Sequence, residues 1–484
     1  MMSSADDAYS PAAALYLDGS ADYLSWTPSG AAASDTNKTI SFWVKRAKFG
    51  SVQWVLDVSS NGDQIQYTAD NKLEVSLNAT TDSHYTTKAV YRDPTAWTNI
   101  VIAFDTDSDT AANKKRLWIN GVLQEDAVLD NHDDPADDAN VDWMKQSIAH
   151  NIGRRGNNSQ FFEGYIADFI GIDGALDADS FGQTNSSGIW VPKNPSTISM
   201  PSNSFWLAFD DAAFSTYGVG KDSSGRGNHW TPTSLAAAQI VKDNPSNNSD
   251  EGVGNYCTWN PLQWEGNSSN SPVPVFSEGN LRAKNTSAVG ACSFVGTVKM
   301  HSGKFYWEVT CNATSTGVTD GYPYIGVIRD DEPPNFPDTY VAIANTYGPQ
   351  QGYAVDNTGS KWVSGTETTS FISSYSAGVI IMIALDLDNG KIWFGRNGSW
   401  PNSGNPATGS NEAYSSIPAG YGWLPHSTEY NNSDTTANFG QRSFSYTVPT
   451  GFNAGISTHM LPDPTVTDPS AFYKTILYNG SNDS

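Results

Sequence analysis

Apolar and polar residues alternate with a period of two along most of this chain, in short runs separated by Gly, Asn, Asp and Ser. The N-terminal half shows LYLDG (15–19), DYLSW (22–26), TISFWVKRA (39–47), WVLDVSS (54–60), IQYTA (65–69), KLEVSL (72–77), WTNIVIAFD (97–105), KRLWINGVLQ (115–124) and FEGYIADFIGIDGAL (162–176). Such alternation in β-branched and aromatic residues predicts half-buried strands. No long run follows a 3.6-residue period, so no long helix is predicted. Many short strands with turn chemistry between them predict an all-β fold of antiparallel β-sandwiches in tandem.

The second half continues the pattern with GKFYWEVT (303–310), YIGVI (324–328) and VIIMIALDLDNGKIWFGRN (379–397). Asn389-Gly390 and Asn397-Gly398 predict hairpins, because both central residues of a type I′ turn need a positive φ. Asn120-Gly121 does the same in the first half. A two-residue loop at His301-Ser302 predicts a further hairpin that sets Cys292 opposite Cys311, both buried and reduced. Cys292, Phe294 and Val298 then share a face with Phe305, Trp307 and Val309.

Turn-rich stretches divide the chain. Residues 1–12 read as an N-terminal tail and 13–235 as the first sandwich. Residues 236–271, rich in Asn, Ser and Pro, read as a linker that packs in part through Trp259 and Trp264. Residues 272–455 form the second sandwich. The tail, 456–484, ends on a strand-like FYKTILYNG that either adds an edge strand to a neighbour or stays flexible.

Composition narrows the partners. The chain has 484 residues and a formal net charge of −24, with 51 acidic against 27 basic side chains. That surface repels nucleic acid and anionic lipid. No run approaches the ~18 apolar residues of a membrane span, so no insertion is expected. The first residues are polar, with Asp6 and Asp7, and show no secretory signal. Three cysteines do not make a disulfide framework.

Catalytic motifs are not evident. Glu163 and Asp168 lie five apart on one strand, where alternation sends them to opposite faces, unsuited to a glycosidase pair. The seven histidines form no H-x-x-x-H or H-E-x-x-H pair. Asp105, Asp107 and Asp109 have the opening spacing of an EF-hand. Thr110 and Arg116, however, stand where Gly and Glu are required. No enzyme is expected.

The order LDGSADYL, ISFWVK, WTNIVIAFD, RLWINGV, FEGYIADFIGID resembles a laminin-G-like, concanavalin A-like jelly roll. The order SEGNLRAKN, GKFYWEVT, YIGVI, LDLDNGKIWFGRN resembles SPRY domains. In the first family the terminal strands neighbour each other, so Asp18 lies beside Asp168, which alternation places on the core side. The resemblance implies a structural calcium position at that pair. The alternative is a backbone-capping role for Asp168, since a buried carboxylate needs partners. SPRY domains bind through loops at one end, which implies Tyr347, Trp362 and Trp400 as ligand-binding aromatics. The alternative is that these rings pack under their own loops.

The composite of both modules resembles virion proteins of tailed bacteriophages. It implies a tail-fibre or appendage subunit, resident in the virion and adhering to a host-surface glycan or receptor. Its partners would be other virion proteins and copies of itself, as a trimer. The alternatives are a capsid-decorating or tail-assembly subunit and a tail polysaccharide depolymerase.

Overall fold

The structure of the chain, a computed structural model, describes residues 9–58, 62–78, 83–211, 213–248, 252–266, 273–287, 290–315, 321–331 and 352–462. The alternation read in 39–47 and 97–105 becomes the antiparallel strands Asn37–Arg46 and Thr98–Asp105, with Ile40 opposite Ile102 and Phe42 opposite Ile100. All four side chains, with Val44 and Phe104, point into the same core. The fold is all-β; the only α-helix among the described residues is the four-residue Ala111–Lys114.

The first sandwich faces two eight-stranded sheets. One runs in the order Val122–Leu123, Lys115–Ile119, Thr98–Asp105, Asn37–Arg46, Glu163–Ile172, Ala14–Asp18, Ile240–Val241, with Phe205–Leu207 also paired to Glu163–Ile172. The other runs Leu129–His132, Ser83–Val90, Lys72–Leu77, Gln64–Tyr67, Gln53–Val58, His150–Ile152, Tyr23–Trp26, Thr231–Thr233. Between them lie Leu15, Phe42, Val55, Ile65, Val75, Phe169 and Trp230, all buried. At about 1.5–3 kcal/mol for each fully buried large apolar side chain, this interior outweighs any single polar contact in the molecule.

The second sandwich repeats the logic. One sheet runs Trp259–Gly266, Ala291–Gly296, Trp423–Tyr430, Tyr324–Arg329, Gly352–Val355, Lys361–Val363, Thr366–Thr368. The facing sheet runs Pro274–Ser277, Arg282–Asn285, Asp434–Asn438, Lys304–Ala313, Ile380–Asp386, Lys391–Arg396, Tyr414–Ser415. Asn453–Ala454 joins it parallel to Lys304–Ala313. Trp259, Phe294, Trp307, Ile383 and Phe394 fill the interior.

Three sequence expectations are corrected. Strands Ala291–Gly296 and Lys304–Ala313 do not form a hairpin: they lie in facing sheets, and Cys292 pairs with Glu429 while Cys311 pairs with Thr435. Their apolar faces still meet in one core, because packing across a sandwich satisfies the same alternation as pairing within a sheet. The three cysteines are buried and free.

The hairpin Ile380–Asp386 to Lys391–Arg396 forms, with Asp386 opposite Lys391. Its loop is four residues long, and only Gly390 has a positive φ, +62°. Asp386 replaces the type I′ geometry by accepting hydrogen bonds from the Asn389 backbone N (3.0 Å) and Nδ2 (2.9 Å). Asn397-Gly398, at φ +45° and +81°, and Asn120-Gly121, at +48° and +75°, adopt the expected conformation.

The 236–271 stretch, read as a linker packed only in part through Trp259 and Trp264, is built into both sandwiches in its described part. Ile240–Val241 extends the first sandwich's sheet, and Trp259–Gly266 is an edge strand of the second. Between them Asp243 and Asn244 are completely buried. Their polarity, which marks a linker in the sequence, is spent on the joint itself. Asn244 Nδ2 donates to Pro11 O at 2.6 Å, and Asp243 forms an ion pair with Lys45.

Candidate functional site

Alternation in Tyr324–Arg329 and Gly352–Val355 sends Ile325, Val327, Tyr353 and Val355 inward. Tyr324 and Ala354 therefore face outward with Trp362 of the neighbouring strand Lys361–Val363. Tyr322 sits beside them, and the rings form a row. Tyr430 stacks on Tyr322 (centroids 4.9 Å), Tyr322 meets Tyr324 edge-on (5.0 Å), and Tyr324 meets Trp362 edge-on (5.6 Å). Tyr322 and Tyr324 are buried, whereas Trp362 at the end of the row is half-buried.

The Trp362 ring is fixed by hydrogen bonding. Its Nε1 donates to Asp356 Oδ2 at 2.8 Å. Asp356 is buried, and its other oxygen accepts from Thr358 N (3.0 Å), Thr358 Oγ1 (2.7 Å) and Ser360 N (3.0 Å). Burial pushes this carboxyl above its usual range, while those hydrogen bonds oppose the rise. Ser360 Oγ donates to Glu367 Oε1 at 2.7 Å, and Glu367 stands opposite Trp362 across the strand pair. The indole's one donor is used, so Trp362 offers ring surface, with an exposed carboxylate beside it. A held aromatic face next to an acceptor suits the C–H face and hydroxyls of a sugar.

Trp400 does not join it. Trp400 lies over the outer face of the opposite sheet, in a cluster with Tyr306, Met382, Trp393 and Phe452. A Cβ at Gly395 would stand 2.8 Å from its ring, so Trp400 fits only because residue 395 has no side chain. It is a packing residue under its own loop. Tyr347 lies outside the described residues. Asp356, Tyr322 and Tyr324 escaped the sequence reading. The alternation in YPYIGV and the turn DNTGSKW were their only signals.

Asp18 and Asp168 are separated. The terminal strands do neighbour each other, but their register sets Asp18 opposite Glu163 and Leu15 opposite Ile166. Asp18 caps the turn that follows it, accepting from Ser20 N (2.8 Å), Ala21 N (3.1 Å) and Ser20 Oγ (2.6 Å). Asp168 sits five positions along the strand, roughly 16 Å away at ~3.3 Å per residue. A calcium position shared by the two is therefore not formed.

Asp168 also departs from simple alternation. It has φ +43°, and with Phe169 it stands opposite the single residue Phe42, a β-bulge. The bulge keeps Phe169 in the core and turns Asp168 to the outer face. There it accepts from Trp206 Nε1 (2.7 Å) and Tyr9 Oη (3.0 Å). Its partners are side chains, not the backbone groups expected. Burial pushes its carboxyl up to about 7. Glu163 and Asp168 thus do not sit on opposite faces, but their spacing along the strand still exceeds the ~5–9.5 Å of a glycosidase pair.

One further pair has catalytic-looking geometry. Ser293 Oγ lies 2.8 Å from His426 Nε2. Both side chains are fully buried, and His426 Nδ1 has no hydrogen-bond partner. Burial holds the imidazole down at about 3, so near neutrality it rests in the neutral form. Among the described residues no group of three or more His, Cys, Asp or Glu side chains is placed to hold a metal ion.

Residues 18–180 match the family model described as Concanavalin A-like lectin/glucanases superfamily, and residues 304–409 match the SPRY domain model. The chain thus carries two β-sandwich domains of kinds that serve as binding or adhesion modules. Among solved structures it is similar to the SPRY domain of human HERC1, at 16% identity. That match covers 37% of this chain and 96% of that one, with a TM-score of 0.28. It is also similar to the TRIM65 PSpry domain: 12% identity, 38% and 89% coverage, TM-score 0.27. No curated protein matches the chain. No helix among the described residues is long and apolar enough to cross a membrane.

Proposed function

We propose that the chain is a bacteriophage tail-fibre or appendage subunit that adheres to the host surface through glycan. The observation that carries the adhesion reading is Trp362: a half-exposed ring, locked by Asp356 beside Glu367, at the open end of an aromatic row. The order of sequence motifs, which resembles tailed-phage virion proteins, supports the virion setting. In this reading the chain assembles with other virion proteins and with copies of itself, as a trimer, and weak single sites gain strength from multivalency. No cofactor and no catalytic step are part of it. Binding of the purified chain to host cells and to their isolated surface polysaccharide tests the reading. Absence of binding to both overturns it.

A second reading, a subunit that makes structural contacts in the capsid or tail, draws on a different surface. The edge strands Val122–Leu123 and Leu129–His132 lie at one edge of the first sandwich, joined by the turn Asp126–Val128. Val122, Leu123 and Val128 are exposed there by 64%, 40% and 44%. Apolar side chains on free strand edges favour pairing with another chain. Val122→Lys would abolish assembly of the chain into particles in this reading, and would leave it unchanged if adhesion alone is the role.

A further inference from the structure

Arg46 ends the strand Asn37–Arg46 beside the buried Lys45, yet turns the other way. It is 3% exposed and forms no ion pair among the described residues. Every hydrogen-bond partner of its guanidinium is neutral: Tyr91 O, Asn71 Oδ1 (3.3 Å), Lys48 O (3.1 Å) and Gln53 Oε1 (3.1 Å). The group lies 4.1 Å from the Tyr67 ring centroid, and its Nε donates to nothing. A buried charge is strongly unfavourable without an opposite charge, and the cation–π contacts with Tyr67 and, at 5.0 Å, with Phe49 offset only part of that. In a chain of net charge −24, with acidic residues nearly twice as numerous as basic ones, a buried cation without an acid beside it is an unusual arrangement.

This cation lines a cavity of about 310 Å³. Arg46, Tyr67 and Tyr91 line it with the exposed Arg92 and Asp93 of the first sandwich, and Leu262 comes from the second. Asp93 is already engaged, accepting from Thr95 N (2.8 Å) and Thr95 Oγ1 (2.7 Å). Arg92 has no hydrogen-bond or ionic partner among the described residues and carries its charge free. Leu262 is 61% exposed, an apolar side chain in the lining. The volume lies at the small end of ligand pockets, suited to one sugar unit and not to a long chain.

We infer that this inter-sandwich pocket is a subsite for an anionic sugar unit of the glycan. The apolar face of the ring packs against Tyr91 and Leu262. Its carboxylate or sulfate is drawn by the Arg92 fork and by the Arg46 charge beneath it. The inference rests on the glycan-adhesion reading above and adds the charge class of the ligand. It uses a site separate from Trp362: Leu262 lies on the strand at one edge of its sheet, and Trp362 lies near the other edge.

The full chain on an array of glucuronate-, galacturonate-, sialate- and sulfate-bearing oligosaccharides, each beside its neutral counterpart, tests this. We expect at least one anionic glycan to bind about tenfold or more tightly than its neutral counterpart, with the preference shrinking as salt rises. Arg92→Glu, a change at an exposed position, should remove the preference, and Leu262→Ser should weaken binding. The carboxylated and sulfated arms report which anion is taken. Equal binding of anionic and neutral glycans, or an unchanged preference in Arg92→Glu, overturns the inference. If Arg92→Glu and Leu262→Ser still hold host cells as the unaltered chain does, the pocket falls while adhesion stands. If the unaltered chain binds neither cells nor glycans, the adhesion reading falls as well.

Discussion

Lys45 and Asp243 form an ion pair with both side chains out of water, joining a strand of the first sandwich to the stretch that leads into the second. Asp243 also accepts from Trp97 Nε1 (3.1 Å) and Tyr256 N (3.3 Å), and Lys45 donates to Asn255 Oδ1 (2.9 Å). The pair therefore persists because its remaining hydrogen-bonding capacity is met on both sides of the joint. Removing one partner leaves a buried charge alone. Asp243→Ala should cost about 3–5 kcal/mol, and calorimetry should show the two sandwiches melting apart. The double change Lys45→Met with Asp243→Asn, which removes both charges but keeps an acceptor for Trp97 and Tyr256, should restore joint melting. A single unaltered transition in Asp243→Ala would sink the idea that this pair couples the modules.

Gly279 meets the first sandwich at a second point. Tyr165 Oη donates to its carbonyl at 2.8 Å, its φ is +69°, and an added Cβ would stand 2.1 Å from that same oxygen. Gly279→Ala then combines a left-handed backbone penalty with overpacking, about 2–4 kcal/mol together. Tyr165→Phe removes only the hydrogen bond, about 0.5–1.5 kcal/mol. Urea unfolding should rank the two variants in that order. Equal midpoints would mean that the interface gives way at no cost.

The alternation of ISFWVK and WTNIVIAFD was legible because a sandwich core reads one face of each strand. What alternation leaves open is which strands pair. Phe294 and Trp307 reach the same core whether their strands are neighbours or lie in opposite sheets. Asp168 was misplaced because a bulge shifts every later residue by one face, and no local residue preference announces it. Asp243 and Asn244 read as linker because composition records polarity and not burial. Trp362 was found as an aromatic in a turn-rich segment, but Asp356, which holds it, lay six residues upstream in a run of ordinary turn residues.

Asp168 gives the bulge a pH signature. Burial raises its carboxyl from 3.8 to about 7, against the pull of Trp206 and Tyr9. The folded chain thus binds this proton more tightly than the unfolded chain does. The group's stabilising contribution is complete below about 3.8 and is lost as pH rises through about 7. Asp168→Asn, whose amide tolerates the positive φ, removes that dependence. Each tenfold difference in proton affinity between the folded and unfolded chain is worth about 1.4 kcal/mol, so the variant should gain roughly a few kcal/mol on the unaltered chain between about pH 4 and pH 8. Unfolding curves at both pH values check it, and a difference that does not change with pH would refute it.

The thiols should be silent. Burial pushes Cys257 up to about 11, Cys311 up to about 12, and Cys292 well above its usual value. Thiolate is the reacting species, so each is both shielded and protonated at about pH 8. A maleimide should label none of the three in the folded chain and all of them in concentrated guanidinium chloride. Fast labelling of the folded chain would show that the second sandwich opens locally.

Trp362 and Trp400 separate recognition from packing. Trp362→Ala removes a half-exposed ring whose N–H was held by Asp356, so folding should change little while host-surface binding drops. Truncation of an aromatic at the centre of a binding site costs about 2 kcal/mol or more, roughly thirtyfold in affinity. Trp400→Ala instead empties the space above Gly395 and Met382, so it should lower stability by about 2–4 kcal/mol and leave binding intact. Asp356→Asn keeps the ring but weakens its anchor, and should fall between the unaltered chain and Trp362→Ala in binding. Measuring affinity for host polysaccharide and urea midpoints on all three decides the matter. If Trp400→Ala loses binding at wild-type stability, the ligand sits on the opposite sheet and the Trp362 ledge is only part of the fold.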